Sequence, residues 1–315
     1  MRIIPGNAQN IGKRTSQQDY FGFSDVTNKE FTKKYGVLAV LCDGIGGMEL
    51  GEQASQLAVK TMLREFPIQD ANETVYDALS RALMDANTAV VDLANQQKKE
   101  IGTTLVAALI HNDYLYWVSV GDSRIYLYRD GKLSRLTTDH TYAMELRKAV
   151  QAGRMTVADA ESHPDRHALV SYVGLSELRY IDRPIEPIQL VAGDKVVLCS
   201  DGLYNSINDE EIAATLMTGN EEKLMQLALS KALPYQDNIT IETLRCMADP
   251  TDKSAKIMQA EKKVGCARIM SMVLLGIVIA LIAGAGLLTY KGLTVQGVEA
   301  EAILSFIQNY VGSFF

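Results

Sequence analysis

YGVLAVLCDGIGG, residues 35–47, is an apolar run that leads through one aspartate into a glycine-rich turn. The apolar part predicts a buried strand over Tyr35–Cys42, and Asp43 then stands at the end of that strand. Other aspartates share this context, beside a predicted strand and near glycine or a turn: Asp19, Asp122, Asp201 and Asp237. A single aspartate there is usually a turn former or a helix cap. The repetition suggests a shared site, although the spacing alone leaves open whether the side chains converge.

Further strands and two long helices are predicted around this stretch. The ranges Gly51–Phe66 and Glu73–Gln97 look helical, the second because apolar residues recur at spacings of three and four. Turn signals at Asn112-Asp113 and Asp130-Gly131 join neighbouring strands as hairpins, and the strands do not alternate with helices. The sequence therefore predicts an α+β domain with antiparallel sheets covered by helices. The additional predicted strands are Thr103–His111, Tyr114–Val120, Arg124–Arg129, Lys195–Cys199 and Ile239–Leu244.

The chain divides into segments of different composition. Residues 1–247 form the predicted α+β domain. Within it, residues 141–180, called the lid below, are polar and charged, with helical character at Tyr142–Gln151 and Val157–Glu161. Residues 248–268 are charged and short of large apolar groups, which is typical of a linker next to a membrane.

Residues 269–290 read IMSMVLLGIVIALIAGAGLLTY and contain no charged side chain. About 20 apolar residues in a helix cross the roughly 30 Å hydrocarbon layer of a membrane, so we expect a transmembrane helix here. A buried core helix is the alternative, but such helices seldom run this long without a polar face. Five basic residues precede the segment between positions 253 and 268, and only Lys291 follows it. The positive-inside rule therefore predicts a single-pass protein of the cell membrane, with the large N-terminal domain in the cytoplasm and the tail, residues 291–315, outside.

The bulk composition excludes several classes of protein. Of the 315 residues, 47% are hydrophobic and 22% are charged, which is typical of a globular protein and not of a disordered one. The net charge of −7 argues against nucleic acid as the partner, because no basic excess is present to neutralise phosphates. The four cysteines form no C-x-x-C pair, which disfavours a disulfide framework or a zinc site. A P-loop nucleotide hydrolase is a poor interpretation, because the chain has no G-x-x-x-x-G-K-[ST] motif.

Clustered aspartates would need a counter-charge. If these side chains converge, their like charges repel and raise one another's pKa. Divalent cations remove the repulsion, and ligands that are all oxygen favour hard ions such as Mg²⁺ or Mn²⁺.

Six short motifs stand in order along the chain: R-T-S-Q-Q-D at 14–19, D-G-I-G-G at 43–47, G-T-T at 102–104, G-D-S-R-x-Y at 121–126, S-D-G-L at 200–203 and D-N-I-T at 237–240. Together they resemble the motifs of the metal-dependent protein phosphatases, the protein phosphatase 2C family. The resemblance covers roughly residues 7–245, and the lid is similar to the flap of bacterial members. It implies a β-sandwich of two antiparallel sheets flanked by helices, with a two-metal centre at one end.

The same resemblance implies roles for the acidic motifs. Asp43 would bridge two Mn²⁺ or Mg²⁺ ions, and the Gly44 carbonyl would bind one of them. Asp201 and Asp237 would complete the shell of the other ion. A water or hydroxide bridging the ions would attack the phosphomonoester directly, so no phosphoenzyme is expected.

The family resemblance also implies roles for three further residues. Asp19 would hold metal-bound water, and Asp122 would serve a third, weaker metal site. Arg14 would bind the substrate phosphate, for which its planar and permanently charged guanidinium is suited. Arg14 and Asp43 are thus the candidate catalytic residues.

Two departures from the family pattern concern the metal site. Gln17 and Gln18 stand where the family usually has asparagine and glutamate, and Gln18 cannot supply a negative charge, so the affinity for one ion is expected to be reduced. Ile45 occupies the position at which animal members carry a histidine proposed as general acid. Bacterial relatives usually have methionine there, so the change is compatible with activity, and the proton for the leaving group would come from metal-bound water or an unidentified group.

The remaining polar candidates are weaker. We expect His140 to be structural, His163 and His167 to be solvated lid residues, and Arg124 either to orient Asp122 or to pack at the surface.

Three functional hypotheses follow. The leading one is hydrolysis of phosphoserine and phosphothreonine in proteins, opposing a cognate serine/threonine kinase. The alternative is a catalytically weakened, phosphatase-like membrane scaffold that binds phosphoproteins. This alternative is considered because Gln18 replaces the usual glutamate. A third, that the tail senses an external ligand, is disfavoured because residues 291–315 are too few for an ordinary sensory domain.

Overall fold

Two five-stranded antiparallel sheets form the centre of the computed structural model, which describes residues 1–45, 50–67, 70 and 72–249. The first sheet has the order β1-β10-β9-β6-β7. Its strands are β1 (Arg2–Asn10), β6 (Arg124–Arg129), β7 (Lys132–Arg135), β9 (Lys195–Cys199) and β10 (Ile239–Met247). The second sheet has the order β2-β3-β4-β5-β8. Its strands are β2 (Asp19–Phe23), β3 (Val37–Asp43), β4 (Leu105–His111), β5 (Tyr114–Val120) and β8 (Ile188–Gln189).

Helices cover the outer face of each sheet. The second sheet carries α2 (Gly51–Glu65) and α3 (Val75–Gln97), with α1 (Lys29–Tyr35) beside them. The first sheet is covered by α7 (Asp209–Thr218) and α8 (Glu221–Ser230), which follow the short α6 (Asp201–Tyr204). The lid contributes α4 (Tyr142–Gln151) and α5 (Val157–Glu161). Local signals define several helix starts: Thr74 and Asp77 form a capping box at α3, and Asn208 and Glu211 form one at α7.

Three apolar layers explain why β3 reads as a continuous hydrophobic run. Leu38 and Val40 face the helices α2 and α3, whereas Ala39 and Leu41 face the other sheet. Because both faces of the strand are covered, neither face needs polar residues. A third layer fills the space between the first sheet and the helices α7 and α8.

The predicted architecture of antiparallel sheets flanked by helices is confirmed. Both predicted hairpin turns have left-handed residues, with φ of 50° at Asn112 and 65° at Asp113, and 49° at Asp130 and 82° at Gly131. These values are typical of the type I′ turn, whose twist matches that of the flanking strands.

Several elements were not predicted from the sequence. Strand β1 contains Pro5 and Gly6, which weaken the strand signal. It lies at an edge of its sheet, where proline is tolerated because one side of the strand has no partner that needs its N–H. Strand β2 has 5 residues and helix α6 has 4, so each is too short for a periodic pattern to stand out. Helices α7 and α8, with 10 residues each, were also not predicted.

The predicted transmembrane helix at 269–290 and the tail at 291–315 lie outside the described residues, as does the linker from residue 250 onward. Among the described ranges, no helix combines the length and apolar character needed to cross a membrane. The domain boundary at residue 247 stays a prediction.

Candidate metal centre

A cavity of about 430 Å³ opens at one end of the two sheets. Most of the predicted site residues line it: Arg14, Asp43, Gly44, Asp122, Asp201 and Asp237. Asp19 is buried beside the cavity, opposite Asp43 in the β2–β3 pairing. The structure therefore brings together every aspartate that the sequence singled out, from five separate parts of the chain.

Asp43 is fixed by the strand ladder of the second sheet. Its backbone N–H donates to Thr104 Oγ1 at 2.9 Å, and its carbonyl accepts from Thr104 N at 2.8 Å and Thr103 Oγ1 at 2.8 Å. The backbone is thus held on both sides, and the carboxylate is directed by the strand and not by a flexible loop. The G-T-T motif acts here as a support for the first aspartate.

Gly44 lies where only glycine fits. A Cβ atom at this position would lie 2.4 Å from the carbonyl oxygen of Gly51 and 2.9 Å from that of Gln18. The Gly44 N–H donates to the same Gln18 carbonyl at 3.1 Å, so the chain passes very close to the start of α2.

Asp19 links the two sheets. Its Oδ2 accepts from Ser200 Oγ at 2.8 Å and from Thr240 Oγ1 at 2.6 Å, both of which belong to the side of the first sheet. Its Oδ1 is buried and has no hydrogen-bond partner within the described residues. Asp19 is therefore held rigidly by one oxygen while the other stays free for a ligand.

Asp201 is the first residue of α6. Its Oδ2 accepts from Asn205 Nδ2 at 3.1 Å, whereas its buried Oδ1 has no partner among the residues described. The following glycine permits close packing, because a Cβ at Gly202 would lie 2.0 Å from the Asn238 carbonyl oxygen. Packing against the Asn238 backbone places Asp201 next to Asp237.

Asp237 is paired with Arg14. The Arg14 Nη2 donates to Asp237 Oδ2 at 2.6 Å, and Asp237 Oδ1 accepts from Asn238 N at 2.8 Å. Asn238 also ties the chain around the first motif: its Nδ2 donates to the carbonyls of Ile11 and Ser16, and its Oδ1 accepts from Gln18 N at 2.7 Å. The asparagine of D-N-I-T is thus a structural clamp, a function that the sequence analysis missed.

Asp122 has a different environment. Its main-chain oxygen accepts from Tyr204 Oη at 3.1 Å, and the Arg124 guanidinium lies 3.5 Å above the Tyr204 ring. Arg124 itself makes two hydrogen bonds to Asp139, at 3.0 and 2.8 Å. Arg124 therefore supports Asp122 through Tyr204, and its own hydrogen bonds go to Asp139 and to the Tyr126 hydroxyl. His140 is buried and accepts from Gly121 N, which agrees with the expected structural role.

The site concentrates negative charge. Burial, followed by the charges of Asp19 and Asp201, raises the pKa of Asp43 well above its usual range. Burial likewise raises the pKa of Asp19 to about 6 and that of Asp122 to about 6. Burial and the charge of Asp122 raise the pKa of Asp201 to about 7. A bound cation would lower these pKa values and favour the ionised form of the whole cluster.

The donors fit a hard divalent cation. Two buried carboxylate oxygens, Asp19 Oδ1 and Asp201 Oδ1, have no hydrogen-bond partner in the described part of the chain. The other acidic side chains that line the cavity, Asp43, Asp122 and Asp237, also offer oxygen ligands. No three Asp, Glu, His or Cys side chains within the described ranges form a compact ligand set around one point. This arrangement still suits Mg²⁺ or Mn²⁺, because such ions bind through one or two carboxylates and keep several waters. It does not suit a structural zinc site, which needs four protein ligands.

The lid supplies part of the cavity wall, which the sequence analysis did not foresee. His167, Leu169 and Tyr172 line the cavity together with Ile45. His167 is exposed, as expected, but it borders the acidic cluster instead of facing bulk solvent alone. Its sequence position gave no signal of this, because a lid folds back onto a site only in three dimensions.

Comparison with known proteins identifies relatives over most of the described chain. A family model described as Protein phosphatase 2C matches residues 8–234. A protein of Streptococcus pyogenes described as protein phosphatase 2C-type is 33% identical over 239 residues, which are 73% of this chain and 91% of that protein. The serine/threonine protein phosphatase PstP of Mycobacterium tuberculosis is 34% identical over 210 residues, or 65% of this chain, and the match spans 39% of the length of PstP.

Solved structures share the fold. The catalytic domain of the serine/threonine protein phosphatase PstP, in complex with two manganese ions, superposes with a TM-score of 0.60 at 28% identity and covers 78% of this chain and 99% of that domain. The two-sheet arrangement flanked by helices is therefore common to both.

Proposed function

This chain belongs to the protein phosphatase 2C family, and from that premise we propose that the cavity at the end of its two sheets is the active centre of a metal-dependent serine/threonine phosphoprotein phosphatase. The observation that carries the assignment is the convergence of Asp43, Asp122, Asp201 and Asp237 on one cavity, with the buried Asp19 beside it. Phosphomonoester hydrolysis needs concentrated positive charge at the phosphoryl oxygens, and an acidic cluster provides it by holding cations.

The acidic residues would hold two Mn²⁺ or Mg²⁺ ions. Asp43, the Gly44 carbonyl, Asp201 and Asp237 are the proposed ligands, with Asp19 holding bound water and Asp122 a third, weaker site. When bound, two such ions lower the pKa of a water and neutralise phosphoryl oxygens. The partnerless oxygens of Asp19 and Asp201 support this assignment, because a buried carboxylate oxygen without a hydrogen bond is otherwise costly.

Arg14 would orient the substrate phosphate. Its side chain is exposed at the cavity and pairs with Asp237, so the guanidinium already lies next to the proposed metal ligands. A guanidinium offers two parallel N–H groups to a phosphate and stays protonated at any physiological pH. The hydrogen bond to Asp237 orients the guanidinium at the cavity.

The assay that tests this function measures phosphate release from a phosphothreonine peptide by the full-length protein. Activity should appear on addition of Mn²⁺ and disappear with a chelator, because the carboxylate cluster alone repels the phosphate dianion. Turnover that is independent of metal would contradict the proposed mechanism. Calorimetric titration with Mn²⁺ tests the alternative of an inactive scaffold, since absence of binding in the micromolar to millimolar range would favour that scaffold.

We also propose that residues 269–290 anchor the protein in the cell membrane, with the domain at 1–247 in the cytoplasm and the tail at 291–315 outside, joined by the linker at 248–268. The uncharged length of the segment and the basic residues before it support this proposal. Deletion of residues 269–315 should move the protein from the membrane pellet to the supernatant after cell fractionation. Recovery of the full-length chain in the supernatant would contradict it. A cognate serine/threonine kinase, or its substrates, is the proposed partner.

A further inference from the structure

Hydrolysis of a serine or threonine phosphate requires a proton for the departing alkoxide. The described residues that directly follow Asp43 are Gly44 and Ile45, and neither has a side chain that can supply this proton. Ile45 lines the cavity at the position that follows Gly44. Ile45 and the Tyr172 ring both pack closely against Gly102. A Cβ atom added to Gly102 would lie 2.9 Å from Ile45 Cδ1 and 2.6 Å from the Tyr172 ring. Ile45 is therefore an apolar part of the wall.

Most of the described side chains that line the cavity are poorly suited to donate a proton to the leaving oxygen. Arg14 does not release its proton in proteins. The carboxylates must be ionised to hold the proposed cations. Burial raises the pKa of Tyr172, which makes its hydroxyl a poorer acid. The imidazole of His167 remains, and histidine is the residue type that most often serves as general acid.

We propose that His167 is the general acid that protonates the leaving oxygen of the substrate serine or threonine. This inference rests on the proposed phosphatase function. The side chain is exposed to the cavity and has no hydrogen-bond partner within the described residues, so its N–H groups are available to a substrate.

The backbone on both sides of His167 is fixed, as the role requires. The carbonyl of Arg166 accepts from Ala143 N at 2.9 Å, and that of Ala168 accepts from Tyr142 N at 2.8 Å. The imidazole is therefore carried by an anchored turn, although the turn belongs to the lid.

Val173 of the lid is joined through Thr103 to Gly44, the residue after Asp43, by a short ladder. Val173 and Thr103 exchange two backbone hydrogen bonds, at 3.0 and 2.9 Å, and Thr103 in turn bridges to Gly44. This ladder couples the position of the lid residues to the loop that carries Asp43. The acid and the metal ligands are thus part of one connected framework.

The oxygen of a water forms a bond to phosphorus while the bond from phosphorus to the serine or threonine oxygen breaks. The electron pair of the broken bond stays on that oxygen, which takes the proton from the His167 imidazolium. One proton of the attacking water stays on the released phosphate and the other passes to solvent, and solvent returns a proton to His167.

The test compares two substrates with different leaving groups on the full-length protein with Mn²⁺. A phosphothreonine peptide releases an alkoxide that needs a proton, whereas p-nitrophenyl phosphate releases a phenolate that is stable without one. We expect His167→Ala and His167→Gln to lower kcat on the peptide about 10²-fold and to leave kcat on p-nitrophenyl phosphate within about twofold. Added imidazole should restore part of the peptide activity of His167→Ala.

His163→Ala is the matched control, because this second lid histidine packs on the Tyr142 ring and does not line the cavity. It should leave both activities unchanged. Equal losses on both substrates in the His167 variants, or no loss on the peptide, would overturn the assignment. If the unmodified protein turns over neither substrate with Mn²⁺, the proposed function fails and this inference fails with it.

Discussion

Replacement of Asp43 by asparagine should lower the Mn²⁺-dependent kcat on a phosphothreonine peptide by about 10³-fold or more, because metal-ion stabilisation of the transition state is worth several kcal/mol. Asp43 lies in the acidic cluster, where burial and then the charges of the four neighbouring aspartates raise its pKa. Asparagine keeps the shape and removes the charge that would bind the cation. Steady-state kinetics measure the loss of kcat, and calorimetric titration measures the loss of Mn²⁺ affinity.

The same variant should be more stable than the original protein when metal is absent. The folded-state pKa of Asp43 lies above its unfolded value, so between those values the folded protein retains a proton that the unfolded chain releases. The free energy of unfolding therefore falls as pH rises through that window. Asparagine does not titrate, so the variant lacks the loss of stability that Asp43 causes. Thermal unfolding with a chelator near neutral pH checks the sign.

Two further variants separate the roles. Asp92→Asn, on the exposed face of α3, should change neither activity nor Mn²⁺ affinity. Arg14→Ala should mainly raise KM while Mn²⁺ binding remains, because it removes a contact to the phosphate and no metal ligand. Full activity of Asp43→Asn would refute the assignment of the metal centre.

Replacement of Glu242 by methionine should stabilise the protein by about 2 kcal/mol, the typical penalty for a buried polar group without a partner. Glu242 lies on β10 and is fully buried. Neither carboxylate oxygen has a hydrogen-bond partner within the described residues. It shares a face of the strand with Thr240 and Leu244, and so points between the two sheets. For a domain of this size, the expected gain in Tm is about 4–8 °C.

The pH dependence of stability separates the effect of the ionisable Glu242 carboxyl group from the effect of side-chain shape. Burial raises the pKa of Glu242 well above its usual range, so the folded state keeps this group protonated where the unfolded chain ionises. Its contribution to stability is therefore fully present below the unfolded pKa and is lost as pH rises toward the folded pKa. Glu242→Gln should match the original protein near about pH 4 and exceed it in stability near about pH 8.

Glu221→Gln is the matched control for this measurement. Glu221 is also buried, but its Oε2 accepts from Thr243 Oγ1 at 2.9 Å, so its replacement should not stabilise the fold. Phosphatase activity of the Glu242 variants should remain, because this residue does not line the cavity. A loss of stability in both Glu242 variants would show that the carboxyl group has a favourable partner.

The local sequence pattern was sufficient to predict several strands and hairpin turns, whose formation depends on neighbouring residues. The strands at 114–120, 124–129 and 195–199 have the predicted bounds, because alternation, apolar runs and turn residues act over a few neighbouring positions. The two type I′ hairpins follow from Asn112-Asp113 and Asp130-Gly131 for the same reason. The order of the motifs pointed to the acidic residues and, by resemblance, to the fold.

Only the tertiary structure decided which side chains share one space. Asp19 and Asp43 meet because β2 pairs with β3, and Asp19 then reaches Thr240 across the two sheets, 221 positions away in the chain. His167 reaches the cavity only because the lid is anchored at both ends. Glu242 looks like a surface residue in the sequence, and its burial depends on a second sheet that covers it. Long-range packing sets these relations, and a pattern of neighbouring residues carries no information about them.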